Sequence, residues 1–202
     1  MKWNKYYQAP LYLEGLLSNL YGQKEFLVAI VGTKDRKILE AGVGSGAMST
    51  FFSWLGFDVT GVDIDPEVVT KAKIESGRFN GSAKFEVADT FHLPYPNQSF
   101  DLVFHQGLLE HFSDEDIHKI LNEQLRVAKQ VVFSVPNYRY ARRDFGNERL
   151  MTKAQWEKIL HPYWVTTSCY YSLKFFPKWY LPRVKIQYMA IVKKKRPVPL
   201  EN

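Results

Sequence analysis

The heptapeptide Glu40-Ala41-Gly42-Val43-Gly44-Ser45-Gly46 sets three alternating glycines directly behind a carboxylate. It follows the apolar pair Ile38-Leu39 and precedes Ala47 to Leu55, a segment that reads as a helix. A strand-to-helix turn of this kind suits a ligand held by the main chain. Glycine permits the tight turn and the close approach, and the helix start presents N–H groups without intrahelical partners. Two chemistries compete for it. Gly42-x-Gly44-x-x-Ala47 also fits a dinucleotide fingerprint, in which a pyrophosphate rests on the glycines. Glu40 would repel that pyrophosphate and attract a cation.

Two more carboxylates sharpen the choice. Gly61-Val62-Asp63-Ile64-Asp65 ends the next apolar run, about twenty residues past the first glycine, where an acid can take both ribose hydroxyls. Asp65 precedes Pro66 and Glu67 and reads as a helix N-cap, which leaves Asp63 for a ligand. Lys84-Phe85-Glu86-Val87-Ala88-Asp89-Thr90 sets a third carboxylate, Asp89, at the end of a third run, where it can accept from the exocyclic amine of adenine. Three acids at three successive strand ends fit one ligand lying across a sheet's carboxyl edge. An adenosine carrying a cationic amino-acid tail, S-adenosylmethionine, matches that charge pattern better than a dinucleotide.

These stretches, with Leu93-Pro94 and the run from Phe100 to His111 (Phe-Asp-Leu-Val-Phe-His-Gln-Gly-Leu-Leu-Glu-His), resemble the successive motifs of class I S-adenosylmethionine-dependent methyltransferases. The resemblance covers residues 36 to 136 and is similar in flavour to the small-molecule, quinone-biosynthesis branch. It implies a Rossmann-like, doubly wound α/β sheet of about seven strands, mostly parallel, with one antiparallel strand near the C-terminus. It implies a cofactor site drawn from Glu40, Gly42, Gly44, Gly46, Asp63, Ile64, Asp89, Thr90, His105 and Gln106. The fourth strand ends in Phe104-His105-Gln106-Gly107 rather than the Asp/Asn-Pro-Pro-Tyr of enzymes that methylate exocyclic amines of nucleobases, which argues against a DNA adenine acceptor.

The remaining chemistry is the acceptor's. Methyl transfer is an in-line displacement that asks chiefly for positioning. A base is needed only where the acceptor must lose a proton, and His105, Glu110 and His111 lie at the fourth strand's end. His111 is the expected base, with a structural brace as its equal rival; His105 and Gln106 are expected nearer the methionine end of the cofactor. No Cys/His cluster has metal-site spacing, so no metal is expected. Tyr6, Tyr7 and Tyr12 could offer aromatic faces to a sulfonium, or could simply pack around a helix from Pro10 to Gly22.

The elements that must position these groups alternate. Strands are expected near Lys37–Glu40, Asp58–Asp63, Lys84–Ala88, Leu102–His105 and Gln130–Pro136, with helices between. Ser113 with Asp116 caps a helix running to about Val127, and Thr152 with Gln155 forms a capping box before Trp156. Trp164–Tyr171 and Val184–Lys193 are rich in β-branched and aromatic residues and read as a closing antiparallel pair. The 202 residues read as a single domain: a helical cap over 1–35, a cofactor core over 36–136, and acceptor-side elements over 137–202.

Composition bounds the partners. With 46% hydrophobic and 24% charged residues the chain reads as an ordinary soluble globular protein. One cysteine, Cys169, permits no internal disulfide, and the start Met1-Lys2-Trp3-Asn4 shows no signal-peptide core, so a cytoplasmic location is expected. The longest clear apolar run, Phe26 to Val31, is too short to span a bilayer. Residues 1–135 hold 13 Lys+Arg against 17 Asp+Glu, a net of −4, while residues 136–202 hold 14 against 4, a net of +10. A small-molecule acceptor is the first expectation. The basic, aromatic last third keeps RNA or an anionic surface open, and a cofactor-binding protein without turnover is the third reading. Oligomeric state leaves no trace in the sequence.

Overall fold

The computed structural model describes residues 10–34, 36–140, 146–171 and 185–195. In chain order the elements are α1 (Leu13–Gly22), α2 (Lys24–Val31), β1 (Lys37–Ala41), α3 (Ala47–Trp54), β2 (Asp58–Asp63), α4 (Pro66–Arg78), β3 (Lys84–Val87), β4 (Phe100–Gln106), a single 3-10 turn (Leu109–His111), α5 (Asp114–Val127), β5 (Ala128–Pro136), α6 (Lys153–Ile159), β6 (Trp164–Tyr171) and β7 (Gln187–Lys193). The strands form one seven-stranded sheet in the order β3-β2-β1-β4-β5-β7-β6. All pairings are parallel except those of β7, which runs antiparallel to both β5 and β6. This is the mostly parallel, Rossmann-like sheet with one reversed strand that the resemblance implies.

Alternation along the strands builds two cores. Ile38, Val59, Leu102, Phe104 and Val132 face α1, α2 and α3, where they meet Leu16, Phe26, Ile30 and Phe52. Leu39, Val103, Val131 and Phe133 face the opposite layer and meet Ile117, Ile120, Leu121 and Trp156 of α5 and α6. Successive side chains of a strand point to opposite faces, so neighbours in β4 serve different cores. A strand buried on both faces carries consecutive apolar residues, as β4 does over Leu102–Phe104 and β5 over Val131–Phe133.

The helix starts follow their local chemistry. Asp65 accepts from the Glu67 amide at 2.9 Å with Pro66 at the first helical position. Ser113 accepts from the Asp116 amide at 3.1 Å, and Thr152 with Gln155 makes a complete capping box. The expected helix from Pro10 begins at Leu13, and Phe26–Val31, considered above only as a membrane candidate, is the body of α2. β4 begins at Phe100, two residues before the expected start, because the Phe100 backbone pairs with Ala128. The expected seventh strand begins at Gln187; Val184 lies outside the described residues, as do Tyr6 and Tyr7.

Strand order reverses between β1 and β4. A crevice opens at the carboxyl end of a parallel sheet where such a reversal occurs. The glycine turn sits at this point. Gly46 carries φ +75° and is the N-cap of α3, and a Cβ built on it would lie 3.1 Å from Ala72 Cβ and 3.2 Å from Ala72 O of α4. Gly46→Ala should therefore destabilise the fold by about 1–2 kcal/mol from the left-handed backbone alone. At about 2–4 °C per kcal/mol for a chain of this length, a melting scan should show a loss of about 2–8 °C.

Candidate functional site

A cavity of about 210 Å³ occupies the crevice. It is lined by Gly42 from the turn, Val62, Asp63 and Ile64 from the end of β2, Ala88 to Phe91 after β3, and Gln106 to Leu108 with Phe112 after β4. Gly42 (φ +71°) lies so near Leu108 that a Cβ would stand 3.3 Å from its Cδ1, so a side chain there would crowd the cavity wall. Phe91 and Phe112 meet edge to face, with centroids 5.5 Å apart, and make an aromatic flank.

Asp63 is buried at the end of β2. Its carboxylate accepts from the Asp65 amide at 3.1 Å and the Gly44 amide at 3.4 Å. Burial holds this carboxyl above its ordinary value, while the backbone N–H groups of Asp65, Gly44 and Ile64 pull it down. Asp89, just beyond the neighbouring strand β3, lines the same cavity and is more open to solvent, with one oxygen accepting from the Phe91 amide at 2.9 Å. Thr90 accepts from Gln124 Nε2 at 3.1 Å.

The structure gathers six of the expected cofactor residues at the cavity wall: Gly42, Asp63, Ile64, Asp89, Thr90 and Gln106. It places the others elsewhere. Glu40 is buried behind the turn, where Oε2 accepts from the Ser49 amide at 3.0 Å and from its hydroxyl at 2.5 Å. Glu40 thus ties the end of β1 to the first turn of α3, and desolvation pushes its carboxyl up to about 8 against the pull of Ser49. Gly44 turns its amide to Asp63, and Gly46 packs on Ala72.

His105 does not reach the cavity. It points into the α5–α6 core, fully buried, stacked on Phe133 with centroids 5.7 Å apart. Burial lowers its pKa to about 3, so the ring is neutral near neutral pH. The reason is strand alternation: Gln106 faces the cavity and its neighbour faces away. His111 lies in the 3-10 turn between two cavity residues, Leu108 and Phe112, but is not itself in the wall. Its Nδ1 is 3.0 Å from Asn147 Oδ1, and its Nε2 is 4.0 Å from Glu110 Oε1. Arg149, which donates to Phe112 O, braces the same turn. Tyr12 sits at the start of α1, 64% exposed, and is not part of the wall. Phe91, Gly107, Leu108 and Phe112 are wall residues that sequence reasoning passed over; only their place just beyond β3 and β4 could have pointed to them.

The donor set can be tested against the two cofactor chemistries. A diphosphate needs free N–H groups at the glycine turn. Here the Ser49 amide is taken by Glu40 and the Gly44 amide by Asp63. What the cavity offers instead is carboxylate oxygen, from Asp63 and Asp89, beside an aromatic flank. Those groups suit ribose hydroxyls, an amine and a flat ring. They suit an adenosine with a cationic tail better than a pyrophosphate. Among the described residues no group of three His, Cys, Asp or Glu side chains is placed to hold a metal ion, and no helix is long and apolar enough to cross a membrane.

Comparison with known proteins agrees with the geometry. Residues 38–130 match the family model described as a methyltransferase domain. Through this segment the chain is similar to methyltransferase domains. It is 28% identical over 131 residues to ajmaline N-methyltransferase of Rauvolfia serpentina, a match that spans 63% of this chain and 44% of that enzyme. The chain spans about half or less of the length of the first curated relatives it matches. Among solved structures, the PH0226 protein of Pyrococcus horikoshii superposes with a TM-score of 0.72 at 18% identity, covering 95% of this chain and 99% of that one. Magnesium protoporphyrin IX methyltransferase of Synechocystis, with S-adenosylhomocysteine bound, superposes with a TM-score of 0.65 at 14% identity, covering 89% and 84%. At such identities the structural likeness speaks for the fold.

The position of Glu40 sets a pH dependence. Its folded value of about 8 lies above the ordinary 4.5, so the native state holds a proton that the unfolded chain releases. That contribution is whole below pH 4.5 and is lost as pH rises through about 8. Melting of the ligand-free protein should show the loss across this window. Glu40→Gln, which imitates the protonated acid and still accepts from Ser49, should flatten that slope.

Proposed function

We propose that this chain transfers a methyl group from S-adenosylmethionine to a small-molecule acceptor at an O, N or C atom. The reading rests above all on one observation: Asp63 and Asp89, from the ends of adjacent strands, line one cavity at the sheet's reversal point, beside a glycine turn in which the Gly44 amide donates to Asp63. The small-molecule assignment draws support from relatives named as N-methyltransferases of ajmaline and phosphoethanolamine.

When bound, the cofactor supplies a sulfonium methyl with a neutral thioether as leaving group. The protein's part is to hold and exclude. Asp63 accepts from the ribose hydroxyls, and its shortage of strong partners in the burial site is made good by those two donors. Asp89 accepts from the adenine amine, with Phe91 and Phe112 flanking the ring. Gln106, Gly107 and Leu108 close the side toward the methyl. His111 pairs its Nδ1 with Asn147 Oδ1, and its Nε2 lies beside Glu110 Oε1. It is the candidate to take a proton from an acidic acceptor at the rim. The whole chain, 1–202, acts as one domain in this reading, in the cytoplasm.

The net charge of +10 over residues 136–202 favours a second reading, in which an RNA is the acceptor. Binding to RNA that falls steeply with salt would support it, and a small-molecule enzyme should show no such binding. Binding of the cofactor with no methyl release to any acceptor in a labelled extract screen would leave a non-catalytic binding protein.

Calorimetry should find S-adenosylmethionine and S-adenosylhomocysteine bound, with no heat from NAD; the reverse pattern would overturn the proposal. Asp63→Ala removes hydrogen bonds to a charged acceptor, worth about 1.5–3 kcal/mol each, and should weaken cofactor binding at least tenfold with the fold intact. His111→Ala should cut turnover by a factor of ~100 with S-adenosylhomocysteine affinity unchanged. Loss of affinity and melting temperature together would instead mark His111 as a brace.

A further inference from the structure

We propose that Gln124 is a positioning residue of the cofactor cavity, holding Thr90 and the loop that carries Asp89 and Phe91 in place from inside the core. The inference rests on the cofactor reading above.

The loop leaves β3, a four-residue edge strand whose residues are exposed or half-exposed and which pairs only with β2. Val87, the last residue of β3, is 54% exposed. The loop beyond it packs through Ala88 and Leu93, buried in the core that α5 and α6 share, and the Ala88 amide donates to Asp63 O at 3.0 Å. Helix α5 adds side-chain hydrogen bonds. Glu123 accepts from the Leu93 amide at 2.7 Å. Arg126 donates to Leu93 O at 2.9 Å, to Tyr95 O at 2.7 Å and to Asn97 Oδ1 at 3.0 Å. These contacts lie at the outer side of the loop, part-exposed.

Gln124 stands apart from them. It is fully buried, and its Nε2 reaches Thr90 Oγ1 at 3.1 Å, a residue of the cavity wall. A leucine would pack in that position without the cost of taking an amide out of water, which is of order 1–3 kcal/mol unless the amide is hydrogen-bonded. The amide's NH2 group bonds to the wall, and the amide also interacts with His105. Its Oε1 and both ring nitrogens of the neighbouring His105 make no hydrogen bond of normal geometry. His105, stacked on Phe133, backs Gln124 from the β4 side and limits where the amide can turn. A buried polar side chain set between His105 of the core and Thr90 of the cavity wall is placed to hold the wall's shape.

The test uses affinity for S-adenosylhomocysteine, measured by calorimetry at a temperature well below every melting point. Gln124→Leu should weaken binding about 5- to 20-fold. Thr90→Val, which removes the hydroxyl and keeps the shape, should do the same. The double variant should be no worse than the worse single one. Unchanged affinity in Gln124→Leu with a lowered melting temperature would reduce Gln124 to a packing residue and overturn the proposal, as would strictly additive losses. Where Gln124→Leu fails to fold, Gln124→Met, which keeps the side chain's length and removes the donor, decides alone: wild-type affinity rejects the proposal, and the same 5- to 20-fold loss supports it. A wild-type chain that binds no S-adenosylhomocysteine would refute the cofactor reading itself, a result distinct from all of these.

Discussion

The bond from Glu40 to Ser49 is the constraint on which the cofactor end of the molecule turns. A carboxylate at the end of the central strand accepts twice from the first turn of α3, so strand, glycine turn and helix are fixed as one piece. The turn between them has no room for error. Gly42 faces the cavity, Gly44 gives its amide to Asp63, and Gly46 packs on α4. The acid is costly to bury, and its raised pKa reports that cost. It also takes up one amide of the first turn of α3, a group that an anionic ligand at that helix start would otherwise share.

Support for the cavity comes unequally from its sides. The β1 and β4 ends sit in the middle of the sheet with strands on either hand and helices above and below. The β3 side sits at an edge and depends on side chains from α5. The site therefore joins a rigid centre to a flank held by hydrogen bonds. The fold puts binding groups on loops, and the stiffness of those loops is set by what lies behind them.

How much of this could be read from the sequence depended on whether the signal was local. The glycine turn, Asp63, Asp89 and three helix caps were legible because each is a short run with its own chemistry, and the strands of the sheet were legible to within a few residues. Glu40 was recognisable as a special acid, yet its partner Ser49 lies a helical turn away and was not foreseen. His105 was misplaced by reading a motif as a block, when the alternation of β4 sends His105 and Gln106 to opposite faces. The second helix was hidden because an apolar run of six residues has no diagnostic period. Gln124 had no signal at all: a glutamine in a helix looks solvated until the tertiary structure buries it.

The reversed strand governs the order in which the molecule is made. β7 lies between β5 and β6 although it comes after both in the chain. Until residues 187–193 have been synthesised, β6 has no neighbour to join and the free edge of β5 stays bare. The core strands from β1 to β5 can pair as soon as they emerge, since each finds its neighbour already present. Assembly on the ribosome thus divides in time, with an early half that builds the cofactor crevice and a late half that closes in one insertion. An unfilled strand slot beside β5 is an open invitation to a foreign strand in that interval.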